Sequence, residues 1–205
     1  MIRVLTVGGE YGAGRAEIAR GLAERLGWRL MDGCLIEDVA RIAHLDPAEC
    51  ERYVESTDAW FQRLHKALWR GGYEGVASST QNEPPDAATV AAATGRVIRE
   101  AARQGHCVIV GRGSQCVLQE EPDVFHLFVY APRPERIARI VKREGPDADP
   151  EALMESWDRR RAAYIRRYFG QDWSNRHLYN MMLCSCIGEE AAVEAVIAAI
   201  RHQKS

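Results

Sequence analysis

The sequence predicts an α/β domain, doubly wound around a parallel sheet. Three observations lead there. Short, β-branched and almost uniformly apolar runs recur along the chain, as strands buried on both faces require. Segments with apolar residues at helical spacing separate those runs. The crossovers between them are long enough for parallel pairing, and no repeat of 20–50 residues intervenes.

The elements follow in order. Val4 to Val7 (VLTV) reads as the first buried strand and runs into the glycine-rich stretch Gly8–Gly14. A helix follows with Ile18, Leu22 and Leu26 at i, i+4 and i+8, and Gly27 ends it. Trp28 to Met31 is a second strand leading to Asp32. Residues 35–45 and 47–70 read as helices, the latter with Tyr53, Trp60, Leu64 and Leu68 over an apolar side. Gly71, Gly72, Gly75, Pro84 and Pro85 make 71–86 a loop. Helix 87–104 leads to a strand from His106 to Val110 and the turn Gly111-Arg112-Gly113. Val124 to Tyr130 (VFHLFVY) is another buried strand, and Pro132 opens a helix carrying Ile137, Ile140 and Val141. After a turn at 145–150, a long polar helix spans 151–169. Leu178 to Cys184 reads as the last strand, and Val193, Val196, Ile197 and Ile200 mark the last helix. Helical excursions at 45–105 and 145–170 interrupt the alternation.

Composition narrows the function. The 205 residues are 46% hydrophobic and 27% charged, which suits one globular domain with a sizeable core and excludes disorder. Lys plus Arg is 27 against Asp plus Glu 29, a net charge of -2, so the balance points to neither nucleic acid nor a membrane as partner. No apolar run approaches the roughly 18 residues that span a bilayer. The N-terminus lacks a basic segment followed by a long apolar one, and the expected location is the cytoplasm. The six cysteines include no C-x-x-C, so free thiols are expected, with Cys184 and Cys186 on one face of a strand. The histidines show no ligand spacing, and His126 reads as a core residue. Trp157 and Trp173 bracket the polar helix as packing anchors.

Gly9-Glu10-Tyr11-Gly12-Ala13-Gly14-Arg15-Ala16 fills the frame G-x-x-x-x-G-K-[ST] between a buried strand and a helix. In that setting main-chain N–H groups from Tyr11 to Arg15 are expected to converge on a polyphosphate, with about half a positive charge behind them from the helix N-terminus. Two positions depart from the frame. Arg15 replaces the lysine, keeping the charge on a larger planar fork. Ala16 replaces the hydroxyl that binds Mg²⁺. The alternative is a tight strand-to-helix turn that binds nothing. Arg112, leaving a strand end between glycines, sits where ligands bind in open α/β sheets.

Taken together, several segments resemble the bacterial cytidylate kinases and, more closely, their divergent cytidylate kinase-like relatives. They are Gly12-Ala13-Gly14, Leu22-Ala23-Glu24-Arg25-Leu26-Gly27, Asp32, Val108-Ile109-Val110-Gly111-Arg112-Gly113, Tyr130-Ala131-Pro132 with Arg136 and Arg139, Asp158-Arg159-Arg160-Arg161-Ala162-Ala163-Tyr164, Gly170-Gln171-Asp172-Trp173 and Leu178-Tyr179-Asn180. The resemblance covers roughly 3–44 and 106–200. It implies a single three-layer P-loop nucleotide kinase domain over 1–205 with a parallel sheet of about five strands. It further implies a helical acceptor-binding insert at 45–105 and a lid at 143–172. The implied activity is phosphoryl transfer from ATP to a nucleoside monophosphate, CMP or dCMP first. Gly9, Gly12, Ala13, Gly14, Arg15 and Ala16 would cradle ATP. Arg15, Arg143, Asp158 and Arg161 would act on the moving phosphoryl group. Asp32, Arg41, Arg112 and Arg139 would serve the acceptor, although Asp32 reads equally as a helix N-cap. ATP and Mg²⁺ are the implied cofactors, the metal without its usual hydroxyl ligand. Where the relatives follow the Gly-Arg of the third strand with Asp, this chain has Gly113. Two other readings remain: a nucleotide-binding module with little catalysis, and a kinase of this fold with a non-nucleotide acceptor.

Overall fold

The computed structural model describes residues 1–32 and 87–203. The chain divides into two compact units, Met1–Asp32 with Ile98–Ser205, and Gly33–Val97. The first unit holds the sheet; of the second, only the opening turns of one helix are described. The expected helices at 35–45 and 47–70, the loop at 71–86 and Arg41 lie outside the described residues.

The described elements are β1 (Val4–Gly9), α1 (Arg15–Leu26), β2 (Arg29–Met31), α2 (Ala87–Gln104), β3 (Cys107–Val110), α3 (Ser114–Val117), β4 (Val124–Tyr130), α4 (Arg133–Glu144), α5 (Pro150–Phe169), β5 (Met181–Cys184) and α6 (Glu189–His202). The five strands form one sheet in the order β2-β3-β1-β4-β5, every pairing parallel. β1 is central: Val4 to Val7 pair with Cys107 to Val110 on one side, and Val4 to Gly9 with Val124 to Val129 on the other. Every residue of β1 is buried, which is why its sequence is apolar without alternation. The connections leaving β1 and β4 run to opposite edges of the sheet, so the topology switches direction beside the central strand.

One face of the sheet is covered by α1 and α6. Ile18, Ala19, Leu22 and Ala23 meet Ala192, Val193, Val196 and Ile197 over Leu5, Val7, Val108, Leu127 and Val129. The helices approach closely at Gly21, where a Cβ would lie 2.9 Å from Val193 Cγ2. Leu22 is fully enclosed, and truncating it to alanine should cost about 3 kcal/mol. Asp149 caps α5, its carboxylate accepting from Ala152 N–H at 3.0 Å, and Pro150 follows in the first turn.

His126 is the core histidine that its sequence setting suggests. Its Nδ1 lies 2.7 Å from Thr6 Oγ1, and burial pushes its pKa down to about 4, so the ring stays neutral at ordinary pH.

Two sequence expectations need correction. The last strand begins at Met181 rather than Leu178. Asn180 explains this: its side chain accepts from His126 N–H (2.7 Å) while its own N–H donates to the His126 carbonyl (2.8 Å), and Arg176–Leu178 form a 3₁₀ turn capped by Asn175. Cys184 and Cys186 do not share a strand face, because the strand ends at Cys184 and Ser185–Ile187 coil into a second 3₁₀ turn. A four-residue helix, α3, was not foreseen; residues 114–117 (SQCV) carry too short a pattern to signal it.

Candidate functional site

β1 ends at Gly9 and α1 begins at Arg15, so residues 10–14 form a turn at the carboxyl edge of the central strand. Gly14 precedes α1 in the left-handed conformation (φ 79, ψ 21) with no side-chain cap. The first N–H groups of the helix are therefore left for an external anion. Among the described residues, the N–H groups of Gly12, Gly14, Arg15 and Ala16 have no acceptor. Gly12 is required by packing: a Cβ there would lie 2.9 Å from Ile140 Cδ1 and 3.0 Å from the Arg136 carbonyl.

Two other amides of the turn are engaged. Tyr11 N–H donates to Asp158 Oδ1 at 2.9 Å and Ala13 N–H to the Glu10 carbonyl at 3.2 Å. The expectation that all amides from Tyr11 to Arg15 are open to a polyphosphate is corrected accordingly. A carboxylate is itself an anion at a cluster of donors, so Asp158 fills one position that a phosphate oxygen could take.

Three arginines hold the carbonyl side of the same turn. Arg161 Nη1 donates to the Gly9 carbonyl at 2.6 Å, Arg136 Nε to the Tyr11 carbonyl at 2.7 Å, and Arg139 Nη1 reaches the Gly12 carbonyl at 3.5 Å. Arg136 and Arg161 also share Asp158: Arg136 Nη2 pairs with Oδ2, and Arg161 Nη1 lies 3.3 Å from Oδ1. Arg136 further approaches Glu10 Oε2 at 3.4 Å, the oxygen that accepts from Ala131 N–H. Arg136, Arg139 and Arg143 are spaced i, i+3, i+7, so α4 presents all three along one side. Asp158 and Arg161 are likewise i, i+3 on α5.

The Tyr11 ring ties the turn to α5 and α4. It stacks on Trp157 with centroids 5.3 Å apart and planes 5° from parallel. The Arg143 guanidinium lies 4.7 Å over its other face, and the Tyr11 hydroxyl bonds Glu144 at 3.2 Å. At the far end of α5, Trp173 packs on Phe128 (5.6 Å) and lies under Arg161 (5.4 Å). Trp157, within α5, thus ties the helix to the loop, and Trp173, just beyond the helix, packs on the sheet.

Arg15 points inward, not to solvent. Its Nη1 is buried, has no hydrogen-bond partner, and lies 3.6 Å from where a Gly111 side chain would begin. Burial lowers its pKa, and the carboxylates of Asp32 and Asp158 pull the other way. Arg112 is next to it. Burial lowers its pKa too, Tyr164 opposes the shift, and the charge of Arg15 adds to it. Arg112 adopts φ 59, uncommon for a residue with a side chain. Arg161 falls to about 9 through burial and then through the charge of Arg15, against the pull of Asp158. Tyr164, buried near Arg112, rises to about 12. The result is a desolvated group of guanidinium charges beyond the ends of β1 and β3. Among the described residues, Arg161 pairs with Asp158, and the carboxylates of Asp32 and Asp158 act on Arg15.

Gly113, in place of the relatives' Asp, has a packing cause. It has φ 73, and a Cβ there would overlap the Phe169 ring, with Cζ at 2.8 Å and Ile165 Cδ1 at 3.3 Å. The loop around Leu178-Tyr179-Asn180 is a packing device as well. The Tyr179 ring lies 4.9 Å from Phe128 and covers Gly8, and its hydroxyl donates to the Trp173 carbonyl at 2.7 Å.

Of the residues singled out in the sequence, Gly9, Gly12, Ala13, Gly14, Arg15, Ala16, Arg139, Arg143, Asp158 and Arg161 meet at the loop after β1. Arg112 and Asp32 join through their electrostatic proximity to Arg15. Arg139 lies against the loop, within 3.8 Å of a Gly14 Cβ, rather than apart from it. Arg136, Glu10 and the Tyr11 ring were missed as site residues. The i, i+3 spacing of Arg136 and Arg139 was the available signal. Ser185, which holds Arg139, had none.

The hydroxyl ligand usual for a metal at such a turn is missing here. Ala16 offers no oxygen, Asp158 is taken up by two arginines and an amide, and no group of three His, Cys, Asp or Glu side chains able to hold a metal occurs among the described residues.

The strand order, the glycine turn after the central strand and the converging arginines define an α/β protein of the P-loop kinase class. Its family can be stated as well. The chain belongs to the cytidylate kinase-like family, whose model matches residues 4–186. The fold is similar to that of an uncharacterized protein from Eubacterium ventriosum (TM-score 0.69, 19% identity, covering 99% of this chain and 100% of that one). It is also similar to the shikimate kinase from Acinetobacter baumannii solved with shikimate (TM-score 0.56, 13% identity, 100% and 97% covered) and to TT1252 from Thermus thermophilus (TM-score 0.51, 17% identity, 100% and 99% covered). No curated protein matches. Among the described residues no helix is long and apolar enough to cross a membrane.

Proposed function

We propose that the protein transfers the γ-phosphoryl group of ATP to a nucleoside monophosphate, CMP or dCMP first on the strength of its family. The observation that carries this reading is the buried, partnerless Nη1 of Arg15 facing the turn after β3. The Nη1 of this partly buried guanidinium is a donor without an acceptor, and a phosphate oxygen would supply one. In the proposed arrangement the N–H groups of Gly12, Gly14, Arg15 and Ala16 hold the ATP phosphates, with Gly9 and Ala13 shaping the turn. Arg15 and Arg161 neutralise charge on the moving group, while Arg139 and Arg143 add positive potential. Arg112, with Asp32, holds the acceptor. An acceptor phosphate oxygen attacks Pγ, the bond from Pγ to the β,γ-bridging oxygen breaks, and ADP leaves. Lid residues 143–172 keep water from competing. No step is assigned to Mg²⁺.

ADP release with CMP, dCMP, UMP and AMP at millimolar concentration tests the proposal. Turnover no faster than a no-acceptor control for all four removes it. A second reading, a nucleotide-binding protein with little transfer, is favoured by Asp158 occupying the Tyr11 amide and by Ala16. ATP binding that is indifferent to Mg²⁺, with no transfer, would select it. A non-nucleotide acceptor is the outcome if ATP is consumed only with other phosphoryl acceptors.

A further inference from the structure

Three arginines grip the carbonyls of the loop, and they differ in what balances them. Arg136 pairs with Asp158 and Glu10, and Arg161 with Asp158. Arg139 has no carboxylate partner among the described residues. Its Nη1 donates to Ser185 Oγ at 2.9 Å, its Nη2 to the Ser185 carbonyl at 3.4 Å, and Nη1 also makes the long contact to the Gly12 carbonyl. Ser185 is 3% exposed and sits in the 3₁₀ turn just after β5. The Arg139 guanidinium meanwhile lies against Gly14, the residue that opens α1.

A neutral hydroxyl and a carbonyl fix a guanidinium in place without cancelling its charge. A carboxylate in the same position would fix it equally well and cancel it. We infer that Ser185 is a positioning residue for the phosphate site: it holds Arg139 under the loop with its charge unspent. That charge then adds to the helix N-terminus beneath Gly12–Gly14. The inference rests on the phosphoryl-transfer reading, because it needs a polyphosphate at this loop.

Two variants separate positioning from mere packing. Ser185→Ala removes the hold. Ser185→Asp keeps a hydrogen-bonding partner on Arg139 and neutralises it. The measurement is the Kd for ATP and for tripolyphosphate by calorimetry, beside Tm for each protein and kcat and KM wherever turnover is present. Both variants should weaken both ligands about tenfold, given the strength of a charge-assisted contact in a desolvated site. They should raise KM for ATP more than they lower kcat, and Ser185→Thr should restore binding to within about twofold, since it keeps the hydroxyl. Ser185→Asp is decisive, because a merely structural serine would tolerate a partner that still anchors Arg139. If Ser185→Ala does not fold, Arg139→Gln takes its place and should weaken binding as Ser185→Asp does. Wild-type affinity in folded Ser185→Asp overturns the role of Ser185 and leaves the phosphoryl-transfer reading intact. Wild-type protein that binds neither ATP nor tripolyphosphate overturns that reading, and this inference with it.

Discussion

The turns after β1 and β3 are built alike and work differently. Each leaves a buried parallel strand, each contains glycine and arginine, and each opens a helix through a left-handed glycine without a side-chain cap, Gly14 at φ 79 and Gly113 at φ 73. After β1 the helix runs for 12 residues; after β3 it runs for four. A helix of one turn has little aligned dipole, so the second turn cannot attract an anion through its backbone as the first can. Its charge must come from the Arg112 side chain. The surroundings differ in the same sense. Carboxylates and aromatic rings clamp the first turn, whereas the Phe169 ring and Ile165 close on the second. The comparison teaches that the first turn rests on main-chain geometry backed by cations, and the second on one strained side chain.

The largest expected effect comes from Arg15, which faces both turns. Arg15→Met should reduce transfer more than 100-fold, since in the proposed arrangement Arg15 neutralises charge on the moving group. The same change should raise stability by up to about 1 kcal/mol, because an apolar chain of similar length removes the buried, unsatisfied Nη1 while giving up attraction to Asp32 and Asp158. Denaturant unfolding and ADP release measured on the same preparation check both signs. A variant that is inactive and also less stable would mean that Arg15 holds the fold together instead of awaiting a phosphate.

Gly113→Asp restores the relatives' residue and should cost about 2–4 kcal/mol, combining overpacking against Phe169 with a left-handed side chain. Adding Phe169→Ala makes room, so the double variant should recover part of the loss relative to the sum of the two single changes. Additive losses would show that Phe169 is not what excludes the side chain.

Arg112→Gly should weaken the acceptor about 10- to 30-fold in KM while ATP affinity stays within about twofold, in line with the loss of one charge-assisted contact. Because glycine adopts φ 59 freely, Tm should hold or rise. Equal losses for donor and acceptor would erase the division between the two turns.

Legibility in the sequence followed the same division. The five parallel strands were readable because strands such as VLTV and VFHLFVY are buried on both faces, and the helices because their apolar spacing is regular. The loop after β1 was readable because its glycines stand in a phosphate-binding frame. What escaped the sequence depended on contacts between distant segments. Nothing in the local pattern says that Asp158 on α5 reaches the Tyr11 amide, that Ser185 holds Arg139, or that Phe169 presses on Gly113. The strand boundary at Met181 escaped for the same reason, since Asn180 bonds across to His126.

Asp158 gives the smallest expected effect and the sharpest test of how the first turn works. Its carboxylate accepts the Tyr11 N–H and binds the guanidinium groups of Arg136 and Arg161, so it supports the loop and fills part of the anion site at once. Those two roles predict opposite outcomes for Asp158→Asn. If occupancy dominates, removing the negative charge takes repulsion away from the incoming phosphates, and ATP should bind about 3- to 5-fold more tightly, a change typical of one partly screened charge. Transfer should then slow, because Arg136 and Arg161 lose the anion that aims them. If support dominates, the loop loosens and ATP binds more weakly. The arginines around the turn favour the first outcome: Arg136, Arg161 and Arg15 all feel the Asp158 charge, so with it neutralised they attract phosphate more strongly, and calorimetry should register the tighter Kd together with a lower kcat.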